Sequence, residues 1–203
     1  MKKMSASFFE RHQNAKDVLS LGLFVVLVVI GTVFINTFVF RSFNVEGQSM
    51  ETTMYTGDRL IVNRLPVTMA EIQGKSYIPD RGQVIVFKNP NFDSVNNREE
   101  YIVKRVIAFP GERVTLKNGT FTVCNSNNTT CFNPDDSNHG EPGSPTSGEV
   151  DTVVPEGTLF VSGDHRQGSY SFDSRNGLGM IPFYDVVGPV VYRIFPLNAM
   201  RGF

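Results

Sequence analysis

Histidine is scarce in this chain of 203 residues, at three, and cysteine scarcer still, at two. Neither an H-E-x-x-H nor a C-x-x-C pair occurs, so a catalytic zinc site has no support. The glycine-rich signatures G-x-x-x-x-G-K-[ST] and G-x-G-x-x-G are missing, which leaves nothing to cradle nucleotide phosphates, and no S-x-x-K element occurs. No cofactor and no metal are expected. Lys and Arg form no dense block and the net charge is −1, so the electrostatic footprint of a nucleic-acid binder is absent. At 40% hydrophobic and 19% charged residues the composition is that of an ordinary folded protein of one or two domains.

Against these absences stands one long apolar run, "LSLGLFVVLVVIGTVFINTFVF", residues 19–40, with no charge in 22 positions. At ~1.5 Å per residue such a helix reaches about 33 Å, enough for a hydrocarbon core roughly 30 Å thick. A cleaved secretory signal is the rival reading, but its apolar region would span only ~7 to 15 residues and end at small residues. This run is longer and ends in Phe38, Val39, Phe40 and Arg41. Lys2, Lys3, Arg11 and Lys16 precede it and Arg41 alone follows closely, so residues 1–18 are expected on the cytoplasmic side. Residues 41–203 would then form a domain on the outer face of the cell membrane. In that oxidising setting Cys124 and Cys131, seven positions apart in "TVCNSNNTTCF", suit a disulfide, with two unpaired thiols as the alternative.

Beyond the run, short segments rich in Val, Ile, Phe and Tyr alternate with turn residues, and no helical period stands out. "DRLIVNR", "GQVIVFK", "EYIVKRVIAF", "ERVTLKNGTFTV", "GTLFVSGD" and "VVGPVVYRIFP" read as strands. The fold class is therefore mostly β, preceded by one N-terminal transmembrane helix. Asn118-Gly119 between "VTL" and "FTV" is a hairpin signal, because both central residues of that turn need positive φ. Residues 132–149 are Pro- and Gly-rich and lack apolar periodicity, so they read as a loop. Hairpin, cysteines and loop together form an expected insertion over residues 112–150. Three N-x-[ST] matches, at Asn118, Asn127 and Asn128, matter only in a glycosylating compartment.

Ser49, in "SFNVEGQSMETTMYTGDRLIV", is either a turn residue or a nucleophile in need of a base. His12 is expected on the cytoplasmic side, His139 falls in the loose segment, and His165 in "GDHR" reads first as a turn residue. A lysine is the remaining base. Its ordinary pKa near 10.4 must fall to about 7 to 8, a cost of roughly 3 to 5 kcal/mol, so it must be buried among apolar neighbours. Lys75, Lys88 and Lys117 lie at turns or strand ends. Lys104 lies mid-strand in "YIVKRVIAF", where two-residue alternation puts it on one face with Ile102, Val106 and Ala108. An edge-strand lysine that guards against aggregation is the alternative.

"GQSMETTMYTGDRLIV", "RGQVIVFKNP", "YIVKRVIAFPGERV", "PEGTLFVSGDHR" and "DSRNGLGMIP" resemble, in order and rough spacing, the boxes of bacterial type I signal peptidases, Ser-Lys dyad serine proteases. The resemblance implies a signal-peptidase-like β ectodomain with Ser49 as nucleophile and Lys104 as general base. It further implies that Ser171 orients the Lys104 amine, with Ser169 as a competitor, while Asp173 and Arg175 hold that turn together. The implied substrates are exported preproteins bearing signal peptides, with small residues at the first and third positions before the cut. Ser49 lies nine residues past the apolar run, which keeps it near the bilayer. Phe43, Val45, Met50, Ile102 and Val103 are candidate groove residues. The sequence departs from the family pattern at Gly47, at Thr52 and Met54 (usually Pro and Leu), at His165 (usually Asn), and by two extra residues between Arg166 and Asp173. Thr52 predicts a less rigid turn. A non-catalytic membrane-anchored β-domain that binds envelope proteins and a self-cleaving Ser-Lys regulator are the alternatives.

Overall fold

The apolar run forms a helix, α1 (Gln13–Phe34), that continues into a five-residue π-helical turn, Ile35–Val39. Within Lys16–Val39 the most apolar stretch of 18 residues has a mean hydropathy of 2.9, and none of that stretch is buried against the other described residues. Its polar side chains fold back on the helix itself: Thr32 Oγ1 donates to Val28 O at 2.8 Å and Asn36 Nδ2 to Thr32 O at 3.0 Å. The computed structural model describes residues 13–91, 100–127, 129–136, 142 and 145–203. Lys2, Lys3, Arg11, His12, Asn128, His139 and part of the 132–149 loop lie outside them.

Helical backbone stops at Val39, and Phe40, expected to end the span, instead opens strand β1 (Phe40–Asn44). A larger sheet follows from β2 (Arg59–Asn63), β3 (Val84–Lys88), β4 (Tyr101–Ala108), β9 (Thr158–Ser162), β10 (Ile181–Pro182), β11 (Val186–Phe195) and β12 (Arg201–Gly202). Its order is β1-β2-β11-β3-β4-β9-β10, with β12 on β11, and every pairing is antiparallel. β3 shows why the sheet needs cover on both sides. Val84 and Val86 enter a cluster with Val45, Met50, Met54 and Leu60, whereas Ile85 and Phe87 enter another with Val106, Leu159 and Val161. Each such side chain contributes about 1.5–3 kcal/mol by leaving water.

A second, four-stranded sheet has the order β7-β6-β5-β8, from β5 (Arg113–Lys117), β6 (Thr120–Cys124), β7 (Cys131–Phe132) and β8 (Val150–Val153). Asn118 and Gly119 between β5 and β6 have φ of 52° and 79°, the turn that their sequence predicts. Cys124 and Cys131 are joined, with S–S at 2.02 Å. A third cluster fastens the two sheets: Ile107 and Phe160 pack on Val114, Leu116, Phe121 and Val123.

Two expectations need correction. A helix does occur after the apolar run, α2 (Leu65–Ile72); eight residues with Pro66 in the first turn and β-branched Val67 and Thr68 give too short a period to read. Ala108 also does not share a cluster with Val106, because the register of β4 against β9 shifts between them and carries Ala108 into the third cluster.

The larger sheet curls. β1 and β4 stand four places apart in it, yet the Phe43 and Tyr101 rings lie 5.1 Å apart. The Arg41 guanidinium covers both rings, at 5.1 and 4.5 Å. Between these edges a cleft opens, and β9 pairs with β4 only from Arg105 onward, so that among the described residues no strand pairs the outer edge of β4 over residues 102–104.

Candidate active site

Ser49 sits on the turn between β1 and β2. Gly47, with φ of +91°, reverses the chain into it, a conformation that a side chain would strain. Val45 N–H donates to Asp58 O at 2.8 Å and Gly57 N–H to Val45 O at 2.9 Å, which closes the base of the loop. Met50 and Met54 plug into the core at 1% and 0% exposure. Thr53 O accepts from Arg193 Nη1 at 3.3 Å and Arg201 Nη2 at 3.1 Å, and the Asp58 carboxylate takes Arg193 at 2.7 Å. The turn that carries Thr52 is thus pinned by two buried methionines and by arginines from β11 and β12.

Lys104 is 3% exposed on β4, and its Nζ lies 2.7 Å from Ser49 Oγ and donates to Val103 O at 2.9 Å. Burial, which penalises the ammonium, lowers its pKa from 10.5 to about 8; Asp173 and Asp164 oppose that shift from a distance. Among the described residues no ion pair joins Lys104 to a carboxylate.

The wall behind the pair is the segment from Gly163 to Arg175. A Cβ on Gly163 would meet Ser171 Oγ at 2.2 Å and Ser49 O at 2.3 Å, so only glycine lets this segment approach the Ser49 turn. Asp173 is the hub: its carboxylate accepts from Ser171 Oγ at 2.6 Å, Gly163 N–H at 2.9 Å and Arg175 Nη2 at 2.7 Å. Burial alone would raise its pKa, but Arg175, Ser171 and Gly163 outweigh it and hold the carboxyl below its ordinary value. Ser171 is fully buried against Gly163 and spends its proton on Asp173; no hydrogen bond joins it to Lys104 among the described residues. Ser169 is exposed. Two more arginines tie the wall outward. Arg105 forms a forked, buried pair with Asp164, and Arg166, fully buried, grips Asp135 at 2.7 and 2.8 Å and lies over the Phe121 ring of the second sheet.

The cleft encloses about 530 Å³ beside Ser49 and Lys104. Of the expected groove residues, Phe43, Val45, Ile102 and Val103 line it. Met50 does not; the turn that exposes Ser49 sends the next side chain into the core. Sequence reasoning missed Gln48, Tyr170 and Phe172, which also line the cleft. The two aromatics belong to the lengthened Arg166–Asp173 segment, so the extra residues were the available signal. It also missed His165, whose backbone N–H donates to Ser49 O at 3.0 Å and whose Nδ1 lies 3.1 Å from Gln48 O. No group of three or more His, Cys, Asp or Glu is placed to hold a metal ion among the described residues.

The family model described as signal peptidase, peptidase S26, matches residues 18–195. Signal peptidase I T of Bacillus subtilis (strain 168) is 32% identical over 191 residues, covering 93% of this chain and 91% of its own length. A signal peptidase I of Bacillus caldolyticus is 35% identical over 184 residues, covering 86% and 89%. Among solved structures, a signal peptidase I from Enterococcus faecalis V583 aligns with 55% of this chain and 96% of its own, at 25% identity and a TM-score of 0.40.

Proposed function

The chain belongs to the signal peptidase, peptidase S26, family, and from that premise we propose that it is a membrane-anchored serine endopeptidase in which Ser49 attacks the signal-peptide bond and Lys104 is the general base. The observation that carries the reading is the Lys104 amine, buried without a carboxylate partner 2.7 Å from the Ser49 hydroxyl. A pKa of about 8 leaves about one amine in ten neutral at pH 7, some 300-fold more than an ordinary lysine.

The neutral amine takes the Ser49 proton as Oγ bonds to the scissile carbonyl carbon. The oxygen of that carbonyl becomes an oxyanion, and Ser49 N–H, which donates to none of the described residues, is the group available to receive it. Collapse breaks the C–N bond, and the ammonium passes its proton to the departing amine. A water then attacks the ester, gives its proton to Lys104, and Ser49 leaves with that proton restored. Asp173 and Arg175 hold the wall against which Lys104 and Ser49 meet, with Ser171 as the hydroxyl that fixes Asp173 beside Gly163.

The edge of β4 over residues 102–104, which no described strand pairs, supports an extended substrate that adds as a strand, its side chains entering the cleft alternately. Preproteins bearing signal peptides are the proposed partners, held by the lipid bilayer that also holds α1. α2 continues the apolar surface. Thr68 Oγ1 donates to Phe38 O at 3.0 Å and Arg64 N–H to Val39 O at 2.8 Å, while Leu65, Met69 and Ile72 stay exposed at helical spacing. The foot of the helix and the domain are thus joined through an apolar face, with the domain on the outer side by the charge bias of the N-terminus.

Cleavage of a signal-bearing preprotein by the wild-type chain and by Ser49→Ala and Lys104→Met, in detergent or proteoliposomes, tests the reading. Loss of cleavage in both folded variants supports it. Retained cleavage in either overturns the dyad; no cleavage by the wild type favours a non-catalytic domain, and scission confined to the enzyme's own chain favours a self-cleaving regulator.

A further inference from the structure

Resting on the reading of Ser49 as nucleophile, we infer that His165 is a positioning residue that clamps the peptide group whose N–H faces the oxyanion. The Gln48–Ser49 peptide is trans, so its C=O and N–H point in opposite directions. Gln48 O is held on one side by Glu51 N–H at 3.1 Å and by His165 Nδ1 at 3.1 Å. Ser49 N–H therefore points the other way, and both residues line the cleft. A carbonyl oxygen only accepts, so Nδ1 is the nitrogen that carries the proton. His165 also grips the next peptide, through its own N–H to Ser49 O at 3.0 Å. One residue thus fixes the peptide groups on both sides of the nucleophile.

The ring is itself held. It stacks on Tyr170 with centroids 4.5 Å apart and planes 21° from parallel, and Nδ1 lies 3.8 Å from a Glu51 carboxylate oxygen. Without the donor, Gln48 O keeps among the described residues only the Glu51 N–H, and the peptide plane is free to rock. Because an oxyanion donor acts only when charge develops on the carbonyl oxygen, the loss falls on kcat and leaves ground-state binding in place.

Two substitutions separate the donor from the ring. His165→Asn keeps a donor, since Nδ2 stands two bonds from Cβ as Nδ1 does, but loses the stack; His165→Phe keeps the stack and loses the donor. The full chain in detergent micelles, with a signal-bearing preprotein, gives kcat and KM for each, beside wild type and Ser49→Ala, with melting temperature as the folding check. His165→Phe is expected to lower kcat about tenfold or more with KM within about twofold, and His165→Asn to stay within about threefold of wild type. His165→Ala replaces the Phe variant if the latter does not fold, with the same expected loss. A donorless variant with wild-type kcat, or an Asn variant as slow as it, overturns the clamp. Wild type that does not cleave, or Ser49→Ala that does, overturns instead the nucleophile reading on which the clamp rests.

Discussion

Lys104 and the Arg175–Asp173 pair are buried side by side, and burial has opposite chemical results in the two places. Arg175 and Asp173 have side chains 1% and 0% exposed, face each other at 2.7 Å, and stay charged. Lys104 is buried to the same degree, but its hydrogen-bond partners are a hydroxyl and a backbone carbonyl. A charge taken from water with its counter-charge becomes scaffold; one taken without becomes a group that gives up its proton near neutrality. The partnered pair is also what keeps the unpartnered amine in place, because Asp173 fixes Gly163 and Ser171 against the Ser49 turn.

The comparison breaks most visibly at Lys104→Met, which keeps the length and removes the proposed proton acceptor. Preprotein cleavage is expected to fall by about 10⁴-fold or more, measured as kcat/KM. Asp173→Ala attacks the other side and leaves Arg175 buried with no counter-charge. A loss of about 3–5 kcal/mol in chemical unfolding is expected, and a loss below about 1 kcal/mol would mean that the pair is not the scaffold. Stability should move the opposite way at Lys104. Its folded pKa of about 8 lies below its ordinary 10.5, so the unfolded chain binds more protons between those values. The penalty is fully present below about pH 8 and fades as pH rises toward 10.5. Lys104→Met should accordingly be about 3 kcal/mol more stable than wild type at pH 7, with the gain vanishing near pH 10.5.

The β segments and the Asn118-Gly119 turn were legible because alternation, β-branched residues and turn chemistry are local. The nominated serine and lysine rested on elimination among four lysines and on resemblance, and the fold brings the two together across 55 positions. What escaped reading depends on the curl of the larger sheet. Nothing local says that Phe43 on β1 meets Tyr101 on β4, or that the Ser49 turn rotates Met50 inward. Gly163 reads as one glycine among 18 until the Ser49 carbonyl and Ser171 are seen to occupy the space of its missing Cβ. His165 was discounted as a base and is placed to act through its Nδ1 donor.

The smallest effect is the most direct probe of the unpartnered amine. Below pH 8 most Lys104 is protonated and, on the proposed mechanism, holds no lone pair for the Ser49 proton. The neutral fraction is about one in ten at pH 7 and about nine in ten at pH 9, so kcat/KM should climb about tenfold over that interval and then level off. A carboxylate or an ordinary lysine cannot produce that midpoint. His165→Asn, which keeps the donor to Gln48 O and removes the imidazole, should scale the curve without moving it. A midpoint that shifts or disappears in that variant would transfer the proton from lysine to histidine, and the contrast between a partnered and an unpartnered buried cation would lose its chemical meaning.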